Sequence, residues 1–131
     1  MKMLDSNYVG ELGDWIAASL AEINSQMAAV ETLDDVKIAK RRIKLFLEEL
    51  EQKKREINLH IKEVRNQFDQ QEPSKGFFSK RTRKDIDNER DRAILPWKKA
   101  TVIIDKQIGE MKRFQYEIDK QVKEQTQESA E

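Results

Sequence analysis

The middle of the chain repeats an apolar residue at every seventh position. The repeat consists of Val36, Ile43, Leu50, Ile57 and Val64. Further apolar residues that flank this repeat are Phe46, Leu47, Ile61 and Phe68. Because charged residues occupy most of the other positions, the pattern predicts a long amphipathic helix over about 34–71 with a narrow apolar seam. A seam of this width packs against another helix rather than on a broad core.

The first part of the chain carries a second repeat of the same length. It consists of Val9, Ile16, Ile23 and Val30, widened by Leu12, Leu20 and Met27. This pattern predicts a first helix over about 6–30. Residues 1–35 contain one basic and seven acidic residues, a net charge of −6, whereas residues 36–71 contain ten basic and six acidic residues, a net charge of +4. An acidic helix folded against a basic one accounts for much of this charge without a ligand.

A short turn is predicted to join these two helices. Thr32 and Asp35 have the spacing of a capping box, in which each side chain accepts a hydrogen bond from the backbone N–H of the other. So short a connection places consecutive helices side by side and antiparallel. Pro73 then forces the second helix to end, and residues 72–82 are predicted to form a loop.

A third helix is predicted over about 83–123, starting at a second capping box formed by Thr82 and Asp85. Its stripe alternates steps of four and three residues: Trp97, Thr101, Ile104, Ile108, Met111, Gln115, Ile118 and Val122. Pro96 lies within it, and we expect a kinked, continuous helix there. Residues 124–131 lack periodicity and are predicted to fray.

The chain is therefore predicted to be one all-α domain spanning residues 1–131. The expected architecture is an elongated antiparallel bundle or hairpin of three long helices with coiled-coil-like packing. The composition agrees, since 38% of the 131 residues are charged and the chain has only 4 glycines and 2 prolines. No apolar run approaches the ~20 residues of a membrane span, and no signal-peptide pattern is present at Met1, so a cytoplasmic location is expected.

Catalytic and metal-binding patterns are absent from the sequence. The chain has no cysteine and a single histidine, His60, which is predicted to be structural and partly exposed at the edge of the seam. The acidic stretch 85–91 resembles a calcium loop, but Arg90 and Pro96 stand where an EF-hand needs glycine and glutamate. We therefore expect no enzyme, no metal and no cofactor, and interpret this stretch as a solvated helix face.

The predicted loop carries the most suggestive chemistry in the chain. Basic and aromatic residues cluster at its centre and its end: Lys75, Phe77, Phe78, Lys80, Arg81, Arg83 and Lys84. Such a cluster can dock on a protein, bind nucleic acid through phosphates and stacked bases, or, as the least favoured reading, contact an anionic membrane. The alternative, weighted equally with these three readings together, is that Phe77 and Phe78 fold back onto the end of the bundle and the cations are simply solvated.

Ile103, Phe114 and Tyr116 are additional apolar residues outside the stripe of the third helix. The preferred interpretation is that they face the first helix, and the alternative is an exposed patch for assembly. Together these features predict a helical protein–protein interaction or structural protein, an adaptor whose partner is another protein or a second copy of itself. The alternative function is a nucleic-acid-binding accessory factor that uses residues 75–84.

Overall fold

The computed structural model describes residues 6–71 and 82–130, of which residue 6 and residues 127–130 are described by their backbone alone. These residues form three helices, α1 (Ser6–Ala28), α2 (Leu33–Asp69) and α3 (Arg83–Ala130). The described residues contain no strand, and the prediction of an all-α antiparallel bundle is confirmed. The largest difference from the predicted boundaries is at the end of α3, which continues to Ala130, seven residues past the predicted end at 123; the other helix ends agree within two residues. Residues 123–130 are mostly strong helix formers, so the helix continues without a periodic apolar face.

Both predicted capping boxes are present. The Asp35 N–H donates to Thr32 Oγ1 at 3.2 Å, and the Thr32 N–H donates to Asp35 Oδ2 at 3.1 Å. The Glu31 N–H donates a second hydrogen bond to the same carboxylate at 3.0 Å. Because these backbone donors stabilise the ionised form, they lower the pKa of Asp35. The box at Asp85 and Thr82 repeats the two reciprocal bonds at 3.2 and 3.0 Å.

Three ion pairs record the register in which α2 and α3 run antiparallel. They are Lys40–Asp119, Lys54–Asp105 and Asp69–Arg90. On α2, Lys54 follows Lys40 by 14 residues and Asp69 follows Lys54 by 15. On α3 the partners run backwards along the chain, from Asp119 to Asp105 and then to Arg90, at the same intervals of 14 and 15 residues. The two helices therefore keep one register over nearly the whole length of α2.

Pro96 does not interrupt this register. It lies inside α3, between Arg90 and Asp105, where the spacing of the ion pairs is the same on both helices. Proline lacks the N–H that would bond to the carbonyl one turn earlier, so one helical hydrogen bond is missing at this point. The predicted continuity of the helix is confirmed, and the predicted kink stays a prediction.

The core lies along the line where the three helices meet. Its fully buried large side chains come from all three helices: Ile23, Phe46, Ile43, Leu50, Ile57, Ile94 and Ile104. α1 runs antiparallel to α2. Near the turn, Arg42 and Glu22 form a bidentate ion pair with both N···O distances at 3.2 Å. Farther from the turn, the rings of Trp15 and Phe46 pack edge to face, with their centroids 5.2 Å apart. α1 has 23 residues and α2 has 37, so the α2–α3 hairpin extends beyond the start of α1.

Candidate interaction surfaces

The residues predicted to contact a partner divide into two groups. Lys75, Phe77, Phe78, Lys80 and Arg81 lie outside the described residues. Arg83 and Lys84 lie in the first turn of α3, and both are exposed. The partner-contact role of all seven stays a prediction.

Arg83 has structural partners at the end of the hairpin. Its Nη1 donates to the Gln71 carbonyl oxygen at 3.2 Å, and its Nη2 lies 3.3 Å from Asp69 Oδ1 and 3.2 Å from Asp87 Oδ1. These contacts tie the last residues of α2 to the first turn of α3. A charge reversal at Arg83 would therefore disturb the hairpin as well as any binding, whereas Lys84 is a cleaner position for testing charge.

Arg90 extends the same ionic cluster by two turns. Its guanidinium lies 3.4 Å from Asp69, 3.4 Å from Asp87 and 3.3 Å from Asp91. Partial desolvation lowers the pKa of Arg90, but the hydrogen bond to Asp91 and the three negative charges outweigh it, so the pKa is raised. The acidic stretch 85–91 thus contributes carboxylates that balance the arginines here.

An aromatic cluster marks the level at which α1 begins to cover the hairpin. The centroid of the Trp97 ring lies 5.8 Å from that of Tyr8 on α1. The centroid of the His60 ring on α2 lies 4.6 Å from that of Trp97, in an edge-to-face arrangement. His60 is half-buried, in keeping with the structural role expected for it. Burial of the Tyr8 hydroxyl raises its pKa, and the negative charge of Glu56 adds to the effect.

Metal and membrane features are not found in the part of the chain that the structure describes. Within residues 6–71 and 82–130, no group of three or more histidine, cysteine, aspartate or glutamate side chains is arranged to hold a metal ion. No helix in those ranges combines the length and apolar character needed to cross a bilayer.

A row of apolar residues runs along the side of α3 that faces away from the core. It consists of Leu95, Val102, Gly109 and Tyr116, which are spaced seven residues apart. The three side chains are 49%, 67% and 66% exposed. Successive heptad positions lie on nearly the same side of a helix, so these residues form one straight track, which we call the apolar track of α3.

Five cations form a second track beside it on α3. They are Arg92, Lys99, Lys106, Arg113 and Lys120, again spaced seven residues apart and all exposed. Each cation except the last precedes a member of the apolar track by three residues, so the two tracks are neighbours on the helix surface. We call the two tracks together the outer face of α3.

α2 also exposes apolar residues on its outward side. Ile38, Leu45 and Leu59 are exposed and stand seven and fourteen residues apart, with Gln52 at the position between the last two. Basic and acidic residues alternate beside this outer face of α2, as at Arg41, Glu48 and Arg55. It is therefore an apolar row with mixed charge on both sides. The apolar track of α3 differs in having cations alone on one side, and its other side carries a mixed row: Asp91, Lys98, Asp105, Lys112 and Asp119.

The preferred interpretation of the additional apolar residues of the third helix is wrong for two of the three. Phe114 packs against the core, and its predicted contact with the first helix stays a prediction. Ile103 and Tyr116 are exposed, because α1 covers only one side of α3. The seven-residue spacing of Leu95, Val102 and Tyr116 is the sequence signal that could have identified the outer track.

Comparison with known proteins yields no match for this chain. No protein-family model, no curated protein and no solved structure matches it. The features that bear on function are therefore the outer faces of α2 and α3 and the residues beside the segment 72–81.

Proposed function

We propose that this protein is a non-enzymatic interaction protein, an adaptor or structural subunit that binds other helices along its outer faces. The observation that supports this proposal best is the apolar track of α3, where three large side chains are half to two-thirds exposed although the core is complete without them. Covering apolar surface is favourable by about 25 cal/mol per Å². A helix lying along such a track could bury all three side chains at once.

The partners in this proposal are another protein and a second copy of the chain. The outer face of α2 suits self-association, because basic and acidic residues both flank Ile38, Leu45 and Leu59. A like-charge conflict is therefore not built into a contact between two such faces. A cytoplasmic setting belongs to the same proposal.

The proposal is tested by photo-cross-linking in an extract of the native cells, with a photoreactive residue placed at one position at a time. We expect specific adducts from Leu45 and Val102, which lie on the two outer faces, and none from Asn24, an exposed polar residue on α1. The mass of the purified protein in solution shows whether a second copy is one of the partners. Absence of adducts from both outer faces, together with a monomeric mass, would contradict the proposal.

Nucleic-acid binding through residues 75–84 is the second candidate function. Its support is the composition of that segment, together with the bond from Arg83 to the Gln71 carbonyl, which joins the described residues on either side of residues 72–81. Cations and aromatic rings in one short segment could bind phosphates and stack on bases.

Fluorescence anisotropy with single- and double-stranded oligonucleotides, at low and near-physiological salt, tests this candidate. The variant is Arg81→Glu with Lys84→Glu, which leaves the hairpin contacts of Arg83 in place. The control is Lys123→Glu, an exposed cation near the opposite end of α3. Binding that weakens with salt and is lost only in the double variant supports the candidate, and no binding at low salt excludes it.

A further inference from the structure

We infer that the outer face of α3 binds an acidic amphipathic helix of a partner protein. This inference rests on the proposed function, since it names the chemistry of the partner for one of the two outer faces. The apolar track supplies the contact surface, and the cation track selects the charge of the occupant.

The spacing of both tracks matches a helix lying alongside α3. Seven residues advance a helix by about 10.5 Å, so Leu95, Val102, Gly109 and Tyr116 repeat at that interval over about 32 Å. A partner helix with its own heptad pattern repeats at the same interval, and each of its seam residues can meet one position of the track. The track is one residue wide, which suits the narrow seam of a helix better than a flat surface.

Gly109 adds a reason for close approach at the middle of the track. A Cβ placed on Gly109 would meet nothing within 4 Å, so packing inside this chain does not require glycine there. A glycine within a helix costs about 1 kcal/mol relative to alanine. Glycine at an interface lets the backbone of a neighbouring helix come closer than any other residue allows.

The cation track indicates that the occupant is acidic. All five of its residues are exposed, and they lie between the apolar track and a row that contains Glu110, Glu117 and Glu124. These glutamates stand on the side away from the apolar track, so a helix seated on that track meets the cations first. Two copies joined antiparallel through this same face would bring two cation tracks together, which opposes that mode of self-association.

An acidic helix accounts for the aliphatic residues better than nucleic acid does. Binding to single strands uses aromatic stacking beside the cations. Leu95 and Val102 offer no ring for stacking, and both are the kind of side chain that fills a helix–helix seam.

The test uses a synthetic fluorescent peptide matched in length to residues 92–120, with leucine at its seam positions and glutamate beside them. Anisotropy should show binding that weakens as salt rises. Val102→Glu and Lys106→Glu should each weaken it by about tenfold, which corresponds to about 1.4 kcal/mol. The matched control Leu45→Glu, on the outer face of α2, should bind as the unaltered protein does.

A peptide with lysine in place of each glutamate controls for charge, and circular dichroism checks that every variant is folded. The inference is overturned if the acidic peptide does not bind, if both peptides bind equally, or if Leu45→Glu and Val102→Glu have the same effect. It is also overturned if duplex oligonucleotides or anionic vesicles, rather than the acidic peptide, bind in a manner that Val102→Glu abolishes. Cross-linking from Leu45 in native extract is independent of these results, so the proposed function can survive the loss of this inference.

Discussion

Gln107 offers a direct test of how the core of the bundle is built. Its side chain lies on the buried side of α3 and is only 8% exposed. The amide nitrogen Nε2 is buried and has no hydrogen-bond partner among the described residues. Replacing Gln107 with methionine keeps the length of the side chain and removes this unpaired donor.

The expected result is a more stable protein. A buried polar group without a partner costs about 1–3 kcal/mol of desolvation, and a replacement of similar volume in a core loses at most about 1.5 kcal/mol through imperfect packing. The difference favours Gln107→Met by about 1 kcal/mol. For a chain of 131 residues this corresponds to a rise in Tm of about 3–5 °C.

The assay is urea denaturation followed by circular dichroism at the helix band, together with a thermal melt. The matched control is Gln121→Met, at an exposed position of the same helix, which should leave the midpoint nearly unchanged. A loss of 1 kcal/mol or more in Gln107→Met would refute the reasoning, because it would show that the amide makes a hydrogen bond in solution that this structure does not contain.

Three further predictions concern the contacts that join the helices. Trp97→Ala should cost about 4 kcal/mol in chemical denaturation, and faster hydrogen exchange around Tyr8 should accompany the loss of their ring contact. Asp35→Asn should lower the melting midpoint at neutral pH. Because the pKa of Asp35 is lowered by folding, its contribution is present above the unfolded value of about 3.9 and is lost as pH falls below it, so melts of the two proteins should converge in acid. A double-mutant cycle on Lys54 and Asp105, an exposed pair at 2.6 Å, should give a coupling below about 1 kcal/mol; a larger value would show that such pairs stabilise the hairpin as well as record its register.

The sequence by itself determined the three helices, the turn between α1 and α2 and the seam of α2. These features depend on residues within a few positions of one another, such as Thr32 with Asp35 or the repeat from Ile43 to Ile57. The start of α3 directly after Thr82 was determined in the same way. The end of α3 at Ala130 was not predicted. Its last residues have high helix propensity but no apolar periodicity, and periodicity was the signal used to place the end of the helix.

Only the tertiary structure decided which side of α3 is buried. The predicted stripe is right where it contains Trp97, Ile104, Met111 and Ile118, which are buried. The second buried row is Ala100 and Gln107 followed by the half-buried Phe114, whereas the predicted Thr101, Ile108, Gln115 and Val122 lie half-exposed at the edge. An alanine and a glutamine give only a weak apolar signal, so their burial follows from the packing of the three helices and not from the local pattern. The same packing leaves the side of α3 that carries Leu95 open, and this open side is the outer face to which the proposed partner would bind.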